Sequence, residues 1–204
     1  FVVKDQGTYY LYYDCTEDLL NPSFESNLGT NGWDTWNGTA VATTEKKLFG
    51  SQSLKITNTG TEGGGTYTGN YYFGAKTDAN LAMFAGLEVT PNTPYIASVY
   101  VWAKPGNTAQ LIVQQYRDDP YGNYTQNVIS NQTSKVTITG NGAWQRLSVK
   151  FTTSTTTTAV TLSLVPGINQ TSYWDGIQLE RVTGTQTTPT DFPSDVWFNY
   201  TLND

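Results

Sequence analysis

The chain has 204 residues, 37% of them hydrophobic, so it is long enough to bury a full core and should form one main domain with extra terminal segments. With 11 Lys and Arg against 17 Asp and Glu, the net charge is −6 and no basic stripe stands out, which argues against a nucleic-acid ligand. The absence of histidine and the single cysteine exclude an intrachain disulfide and leave carboxylates as the only means of acid–base catalysis.

No apolar run reaches the roughly 20 residues that a membrane-spanning helix needs, so membrane insertion is not expected. The chain shows no charged and apolar leader, and because it begins with Phe1 we expect a processed product, an excised fragment or an incompletely identified polypeptide.

Residues 1–18 are predicted to be an N-terminal strand, linker or assembly segment, because GTYYLYYD is rich in residues that favour strands. A tyrosine-rich strand outside the main domain would expose apolar rings and unpaired backbone groups. We therefore expect this segment to contact a neighbouring domain or another copy of the chain, and the protein to be a homo-oligomer or part of a larger assembly.

The next stretch, LLNPSFESNLGTNGWDTW, contains an Asn-Pro turn, an isolated Glu25, and two tryptophans. We expect Trp33 to pack in the core. Trp36 is harder to place, since it precedes Asn37, one of five Asn-x-Ser/Thr sequons; these could carry glycans in a eukaryotic or archaeal secreted protein but not in a phage protein. The other four sequons begin at Asn123, Asn131, Asn169 and Asn199.

Alternation with a period of two dominates the middle of the chain and predicts half-buried antiparallel strands. YIASVYVWAK, AWQRLSVKFTT and AVTLSLV all alternate in this way, and turn clusters such as KPGNT and TGNGA separate such segments. DANLAMFAG is the one stretch that could form a short helical turn. The fold class is therefore expected to be all-β, an antiparallel β-sandwich with extra N- and C-terminal strands.

Residues 182–204 are predicted to be a C-terminal linker and strand, because TGTQTTPTDFPSD is polar and contains proline while VWFNYTL favours a strand. Like the N-terminal segment, this strand is expected to contact a neighbouring copy or domain.

The order of motifs over residues 19–181 resembles the β-jelly-roll carbohydrate-binding modules that accompany xylanases, a galactose-binding-like sandwich that also occurs in phage tail and virion proteins. The matching motifs are LLNPSFES, GW, GSQSLKI, LEVTPNTPYIASVYVWAKPG, AWQRLSVKF and YWDGIQLE. Motif positions of this kind place Trp144 and Trp174 in the core as well as Trp33.

The resemblance also implies a structural Ca²⁺ between the first and last strands, with Glu25 and Asp175 at the matching positions. Backbone carbonyls near Lys46 and Lys47, and the side chain of Glu45, are the further ligands that we expect. Carboxylates distant in sequence and adjacent in space suit a hard cation that takes six to eight oxygens. The alternative is that the two carboxylates satisfy backbone donors or bind Lys47.

A glycan-binding face is predicted from aromatic and amide side chains, because a sugar presents C–H groups to a ring and hydroxyls to polar groups. We expect Tyr100 and Trp102 to share one face with Gln114 and Tyr116 of the next strand. The remaining candidate ligand-binding residues are Tyr72, Arg117 and Tyr121.

Three functions are compatible with these features. The interpretation that we favour is a non-enzymatic structural or adhesion domain of a virion or an extracellular filament, located at the virion surface or outside the cell, with possible glycan binding. The alternative is a free-standing polysaccharide-binding module of a secreted glycosidase. A glycosidase domain is disfavoured because no two acids stand out as a facing pair, apart from the adjacent Asp118 and Asp119.

Overall fold

The computed structural model describes residues 2–5, 8–11, 23–25, 33–60, 64–68, 70–72, 83–85, 87–117 and 128–192, and all regular secondary structure in them is β-strand. The strands are Val2–Asp5 (β1), Thr8–Leu11 (β2), Trp33–Trp36 (β3), Gly38–Thr43 (β4), Ser53–Asn58 (β5), Gly65–Thr68 (β6), Asn70–Tyr72 (β7), Met83–Ala85 (β8), Leu87–Glu88 (β9), Pro94–Ala103 (β10), Thr108–Tyr116 (β11), Val128–Thr139 (β12), Trp144–Thr152 (β13), Ala159–Pro166 (β14) and Thr171–Arg181 (β15). Within these residues we find no helix that combines the length and the apolar character required to cross a membrane.

Two antiparallel sheets form the body of the protein. One has five strands in the order β13-β10-β15-β5-β4, and the other has six, ordered β12-β11-β14-β6-β3 with β9 also paired to β14. The predicted antiparallel β-sandwich of the jelly-roll type is therefore confirmed.

The core lies between the two sheets, where alternate side chains of each strand meet. Val99 and Val101 of the five-stranded sheet and Leu111 and Leu162 of the six-stranded sheet are completely buried there. The alternation read from the sequence was therefore correct for β10, β13 and β14. Because a strand points successive side chains to opposite sides, the residues between these core positions lie on the outer face of each sheet.

Two of the three tryptophans predicted for the core are buried in it. Trp33 is 8% exposed and Trp174 is fully buried. The prediction is wrong for Trp144, which is half-buried and pairs in register with Trp102 on the outer side of β10. The reason is strand phase, because Leu147, an odd number of residues along β13, takes the inward position.

Several connections carry the chain from one sheet to the other. The Pro105–Gly106 turn joins β10 of the five-stranded sheet to β11 of the six-stranded sheet, and β3 passes to β4 at Asn37. Asn37 has a φ of 45°, a left-handed conformation that asparagine tolerates better than most residues. Strands that follow each other in sequence therefore do not always share a sheet.

Two short hairpins lie outside the main sheets. β1 pairs with β2, so the predicted single N-terminal strand is two strands that satisfy one another's backbone groups along their shared edge. β7 pairs with β8, so Met83–Ala85 of the stretch DANLAMFAG form a strand where a helical turn was predicted, and the rest of that stretch lies outside the described residues. The strand predicted near residues 195–204 lies outside the described residues.

Candidate functional site

The four residues predicted to share a ligand-binding face lie on two different sheets. Tyr100 and Trp102 belong to β10 in the five-stranded sheet, whereas Gln114 and Tyr116 belong to β11 in the six-stranded sheet. The prediction of one shared face is wrong because the connection after β10 crosses the sandwich instead of forming a hairpin. Each outer face must therefore be considered separately.

The outer face of the five-stranded sheet is covered over Tyr100. The ring of Phe49 meets the Tyr100 ring edge-on with centroids 5.2 Å apart, and the guanidinium of Arg146 lies 5.0 Å from the same ring. Phe192 packs on Phe49 at 4.6 Å between centroids. The half-buried Tyr100 is therefore packed by Phe49, which Phe192 covers in turn, so its ring serves in packing between the sheet and these segments.

One of these overlying segments, residues 183–192, is called the C-terminal strap here because it crosses the outer face of the five-stranded sheet. The backbone N–H of Thr190 donates to the carboxylate of Glu180 at 3.1 Å, and the amino group of Lys150 donates to the carbonyl of Gln186 at 2.8 Å. Arg146 also donates to the carbonyl of Thr190. These contacts fix the strap along β13, β10 and β15.

Trp102 lies nearer the end of the same face and is half-buried. Its indole N–H donates to the carbonyl of Gly142 at 2.8 Å, and the amino group of Lys46 lies 3.8 Å from the ring centroid. Trp144 is its half-buried neighbour on β13. Both indoles are thus partly accessible beyond the covered part of the sheet.

The outer face of the six-stranded sheet carries a tryptophan that lies across a glycine. Trp36 pairs in register with Gly65, and a Cβ added to Gly65 would lie 3.1 Å from the far edge of the Trp36 indole and 2.4 Å from the carbonyl of Leu164. Glycine is needed here because any side chain would meet backbone on one side and the indole on the other. The half-buried indole can therefore lie against the sheet and present its other side outward.

Amide side chains lie on the same outer face, in a row that runs across the strands from Trp36 and Gly65. Gln110 pairs in register with Val165 on one side and Thr137 on the other and is half-buried, and its side-chain amide forms no hydrogen bond with the described residues. Gln114, four residues along β11 on the same face, accepts a hydrogen bond from the hydroxyl of Thr133 and donates to the carbonyl of Ile129 at 3.3 Å. An aromatic ring and amide groups therefore share this face.

The other predicted ligand-binding residues are distributed differently. Tyr116 has only 6% of its surface exposed, at the end of β11, and Arg117 follows it as an exposed residue. Tyr72 ends β7, but its side chain is outside the described part of the chain, as is the whole of Tyr121. Of the described residues among them, Tyr116 lies on the other sheet from Tyr100 and Trp102.

The two carboxylates predicted to share a cation are brought together beneath the loop that follows β4. Asp175 is completely buried and accepts hydrogen bonds from the backbone N–H groups of Leu48 and Phe49, both at 2.9 Å. Burial, with a smaller contribution from the nearby negative charge of Glu25, raises the pKa of Asp175 to about 7. Glu25 itself accepts hydrogen bonds from the backbone N–H and the hydroxyl of Ser51.

Glu45 belongs to a different cluster. Its carboxylate lies 2.7 Å from the amino group of Lys55 and accepts a hydrogen bond from the hydroxyl of Tyr173 at 2.6 Å. These two hydrogen bonds lower the pKa of Glu45. No group of three acidic, histidine or cysteine side chains that could hold a metal ion occurs in the described residues.

Sequence reasoning missed two features that decide which face is open. Trp36 was left unassigned, although the glycine run at residues 63–65 offered a signal, since a strand glycine often marks close approach by another group. The C-terminal strap was read as a linker, and its polar composition carries no sign of where it would pack.

Comparison with known proteins identifies a family. A family model described as a carbohydrate binding domain matches residues 17–172. A search of curated proteins gave no significant match.

Solved structures share the fold at low sequence identity. The CBM22-1 xylan-binding domain of Paenibacillus barcinonensis Xyn10C is 19% identical with a TM-score of 0.53, and the match covers 79% of this chain and 92% of that chain. The CBM22-1–GH10 modules of Clostridium thermocellum endo-1,4-beta-D-xylanase 10B, complexed with xylohexaose, are 16% identical with a TM-score of 0.56, covering 79% of this chain and 28% of that one. The enzymatically active domain of bacteriophage CBA120 tailspike protein 4 is 9% identical with a TM-score of 0.57, covering 81% of this chain and 21% of that one. These likenesses establish the fold.

Proposed function

Because the chain belongs to the carbohydrate-binding domain family, we propose that it binds a glycan, without cleaving it, on the outer face of the six-stranded sheet. The observation that carries this proposal is the Trp36 indole lying on Gly65 in one row with the amide of Gln110. The indole offers an apolar face to the C–H groups of a sugar ring, and the amide offers both a donor and an acceptor to its hydroxyls. A ligand site needs this combination of apolar surface and few placed polar groups.

The rigid backbone beneath these side chains supports the same assignment. Gly65 lies between β3 and β14, so the indole rests on paired strands and not on a loop. Gln114, whose amide is already held by Thr133 and Ile129, is the neighbouring group with a fixed orientation. Side chains fixed before binding lose little conformational freedom when a ligand arrives.

Affinity for a broad set of polysaccharides, measured with the wild-type chain and with Trp36→Ala, tests this proposal. A ring that anchors a ligand typically contributes about 1–2 kcal/mol, so we expect Trp36→Ala to weaken binding about tenfold with little change in melting temperature. Val41→Ala, which shortens an exposed apolar side chain on β4 of the opposite sheet, is the control and should keep the affinity for neutral polysaccharides. Equal affinity of the wild-type chain and Trp36→Ala would refute the assignment of this face.

A structural Ca²⁺ held by Glu25 and Asp175 is our second proposal. The buried Asp175 and its neighbour Glu25 supply hard oxygen ligands, and the further ligands proposed are backbone carbonyls of the loop at Lys46 and Lys47, of which that of Lys46 now accepts a hydrogen bond from the hydroxyl of Ser53. A cation there would offset the repulsion between the two carboxylates. Glu45 is left out of this ligand set because Lys55 and Tyr173 already engage it.

Melting curves with excess chelator and with added Ca²⁺ test the cation proposal. A cation bound only by the folded state raises the melting temperature by mass action, so chelation should lower it by several degrees. Asp175→Asn should abolish the response to Ca²⁺. Identical melting curves for the wild-type chain with chelator and with Ca²⁺ would refute the proposal that the folded chain binds Ca²⁺.

Our third proposal concerns the biological setting. We propose that the chain is a structural or adhesion domain of a virion or an extracellular filament. Support comes from the strand-forming segments at residues 1–14 and 195–204, which we expect to contact neighbouring copies or domains. The alternative, a module of a secreted glycosidase, needs no such contacts.

Truncation distinguishes these settings. Deletion of residues 1–14 or of residues 195–204 should leave a folded, glycan-binding domain that no longer assembles, as measured by sedimentation and electron microscopy. Assembly that survives both deletions, or a full-length chain that stays monomeric, would favour the glycosidase module.

A further inference from the structure

Three aromatic residues form a line across the outer face of the five-stranded sheet. Trp102 of β10 pairs in register with Trp144 of β13 and with Tyr173 of β15. Their inward neighbours Val101 and Trp174 are fully buried in the core, so the three rings point to the outer side. The centroids of Trp102 and Tyr173 lie 5.7 Å apart at 76°. We call Trp144, Trp102 and Tyr173 the aromatic row.

The aromatic row lies beyond the covered part of this face. Tyr100, two residues before Trp102, is capped by Phe49, which in turn packs on Phe192 of the C-terminal strap. Trp102 and Trp144 remain half-buried, and the indole N–H of Trp144 has no hydrogen-bond partner among the described residues. Part of the row therefore remains accessible to a ligand.

Lysines outnumber acidic side chains around the row, where Glu45 accepts a hydrogen bond from the hydroxyl of Tyr173. The amino group of Lys46 lies 3.8 Å from the ring centroid of Trp102 and 5.9 Å from that of Tyr173. Lys47 is exposed beside it, and Lys55 lies 5.7 Å from the Tyr173 centroid. In the described part of the chain Lys55 is paired with Glu45, whereas Lys46 forms no ion pair. The local excess of lysine stands out in a chain with a net charge of −6.

We propose that the aromatic row binds an acidic sugar of a glycan, such as a uronic acid. The C–H face of the sugar packs against the indoles of Trp144 and Trp102, and its carboxylate is placed at the amino group of Lys46. The cation is held at one end by its contact with the Trp102 ring, which reduces the freedom it loses on binding. This inference rests on the proposed glycan-binding function but assigns a second site, on the sheet opposite Trp36.

The arrangement of the row favours a sugar over a peptide. Trp102 and Trp144 are half-buried on neighbouring strands about 4.8 Å apart, so their indoles form a short surface fixed by the sheet, and Tyr173, only 8% exposed, supports the Trp102 ring edge-on. Lys46 forms no ion pair among the described residues, since the nearby carboxylate of Glu45 is engaged by Lys55, and it complements a ligand that combines a carboxylate with an apolar ring face. An acidic peptide offers the charge alone.

The decisive comparison uses a polysaccharide with and without its carboxylates. Titration calorimetry of the full chain should be run with polygalacturonate, alginate and glucuronoxylan, and with the carboxyl-reduced form of each. We expect at least one acidic polymer to bind about tenfold more tightly than its reduced form, with the difference shrinking as salt is added. Equal affinity within every pair would overturn the proposal.

Two lysine variants locate the charge. Lys46→Met keeps the apolar stem and should lose most of the preference for the acidic polymer, about fivefold or more, without changing affinity for the reduced polymer. Lys135→Met removes an exposed lysine of the six-stranded sheet and should have no such effect. If Lys46→Met keeps the preference for the acidic polymer, or Lys135→Met loses it equally, the aromatic row is not the site that binds the acidic sugar.

Two further measurements separate this site from alternatives. Trp144→Ala should weaken binding of the acidic polymer, while Trp36→Ala should leave the Lys46-dependent preference intact even where it abolishes neutral binding. If Trp36→Ala leaves neutral binding unchanged but Lys46→Met loses the acidic preference, only the proposed site at Trp36 is refuted. If Trp36→Ala loses neutral binding but Lys46→Met keeps the acidic preference, only the acidic site is refuted. Poly-glutamate that binds as tightly and with the same dependence on Lys46 would show that charge alone is recognised, which would overturn the sugar assignment.

Discussion

The two outer faces of the sandwich are built on the same alternating strands but differ in what lies over them. Over the five-stranded sheet, the loop containing Phe49 and the C-terminal strap cover Tyr100 and the buried Asp175. On the six-stranded sheet, Trp36 and Gln110 stay half-buried in the row described above. An outward aromatic ring is therefore a packing residue where these segments lie over it, as at Tyr100, and a candidate ligand platform elsewhere, as at Trp36 and in the aromatic row.

This difference shows that strand alternation decides only which side of a sheet a residue takes. Whether that side becomes a second, smaller core depends on segments elsewhere in the chain. Substitutions on the covered face should accordingly change stability, whereas those on the open face should change binding. The following predictions test that division, beginning with the largest expected effect.

The largest effect should come from pH, through Asp175 beneath the covered face. Its pKa is about 7 in the folded protein and near 4 when the chain unfolds, so the folded state binds the proton more tightly. The resulting stabilisation is fully present below about pH 4 and is lost as the pH rises towards 7. In chelator, the unfolding free energy should fall by about 4 kcal/mol over that range, as measured by urea denaturation at each pH.

Asp175→Asn provides the control for this prediction. An amide does not titrate, so most of the slope between pH 4 and pH 7 should disappear in the variant. A wild-type protein whose stability rises over the same range would show that another group dominates and that Asp175 is ionised in the folded state.

A matched pair of alanine substitutions, Tyr100→Ala and Trp36→Ala, compares the two outer faces directly. Tyr100→Ala removes a ring packed between Phe49 and Arg146, and should cost about 2–3 kcal/mol of unfolding free energy while leaving affinity for neutral glycans unchanged. Trp36→Ala should instead weaken the affinity for neutral glycans and leave the unfolding free energy nearly unchanged. Thermal melts and binding titrations of both variants would check this. A Tyr100 variant that loses affinity but keeps its stability would contradict the comparison.

Much of the fold was predictable because alternation is a local property. Leu147, Leu162 and Leu164 were placed in the core from strand patterns alone, and all three are buried. Trp144 was misplaced because motif position, and not strand phase, was used to assign it. The pairing of strands into sheets was not accessible in the same way, since it depends on the crossover after β10.

The candidate site was less predictable because it depends on contacts between distant segments. Glu25 and Asp175 were correctly expected to lie near one another, but only through resemblance to a known family. Nothing in the local sequence shows that Lys55 and Tyr173 would engage Glu45, or that Gly65 would leave room for Trp36. Such facts follow from register between strands far apart in the chain.

A smaller effect is expected from the strap itself. Phe192→Ala removes the ring that packs on Phe49, and should cost about 1–2 kcal/mol, less than Tyr100→Ala because the strap is anchored independently by Glu180 and Lys150. Hydrogen exchange should increase in residues 183–192 and not in β11 or β14. The unfolding free energy of Phe192→Leu, which retains an apolar side chain, should lie between that of Phe192→Ala and that of the wild type. An unchanged exchange pattern would mean that the polar contacts alone hold the strap.

The smallest effect is expected at Glu45, and it separates the two carboxylate clusters. Glu45 is exposed and bonded to Lys55 and Tyr173, so Glu45→Gln should leave the melting temperature almost unchanged, as exposed ion pairs contribute little. The rise in melting temperature on adding Ca²⁺ should also stay the same, because the proposed ligands are Glu25 and Asp175. Glu25→Gln is the matched variant and should lose that rise. A Glu45→Gln protein that no longer responds to Ca²⁺ would place its carboxylate in the cation site, and would require the loop between β4 and β5 to bring Glu45 away from Lys55 when the cation binds.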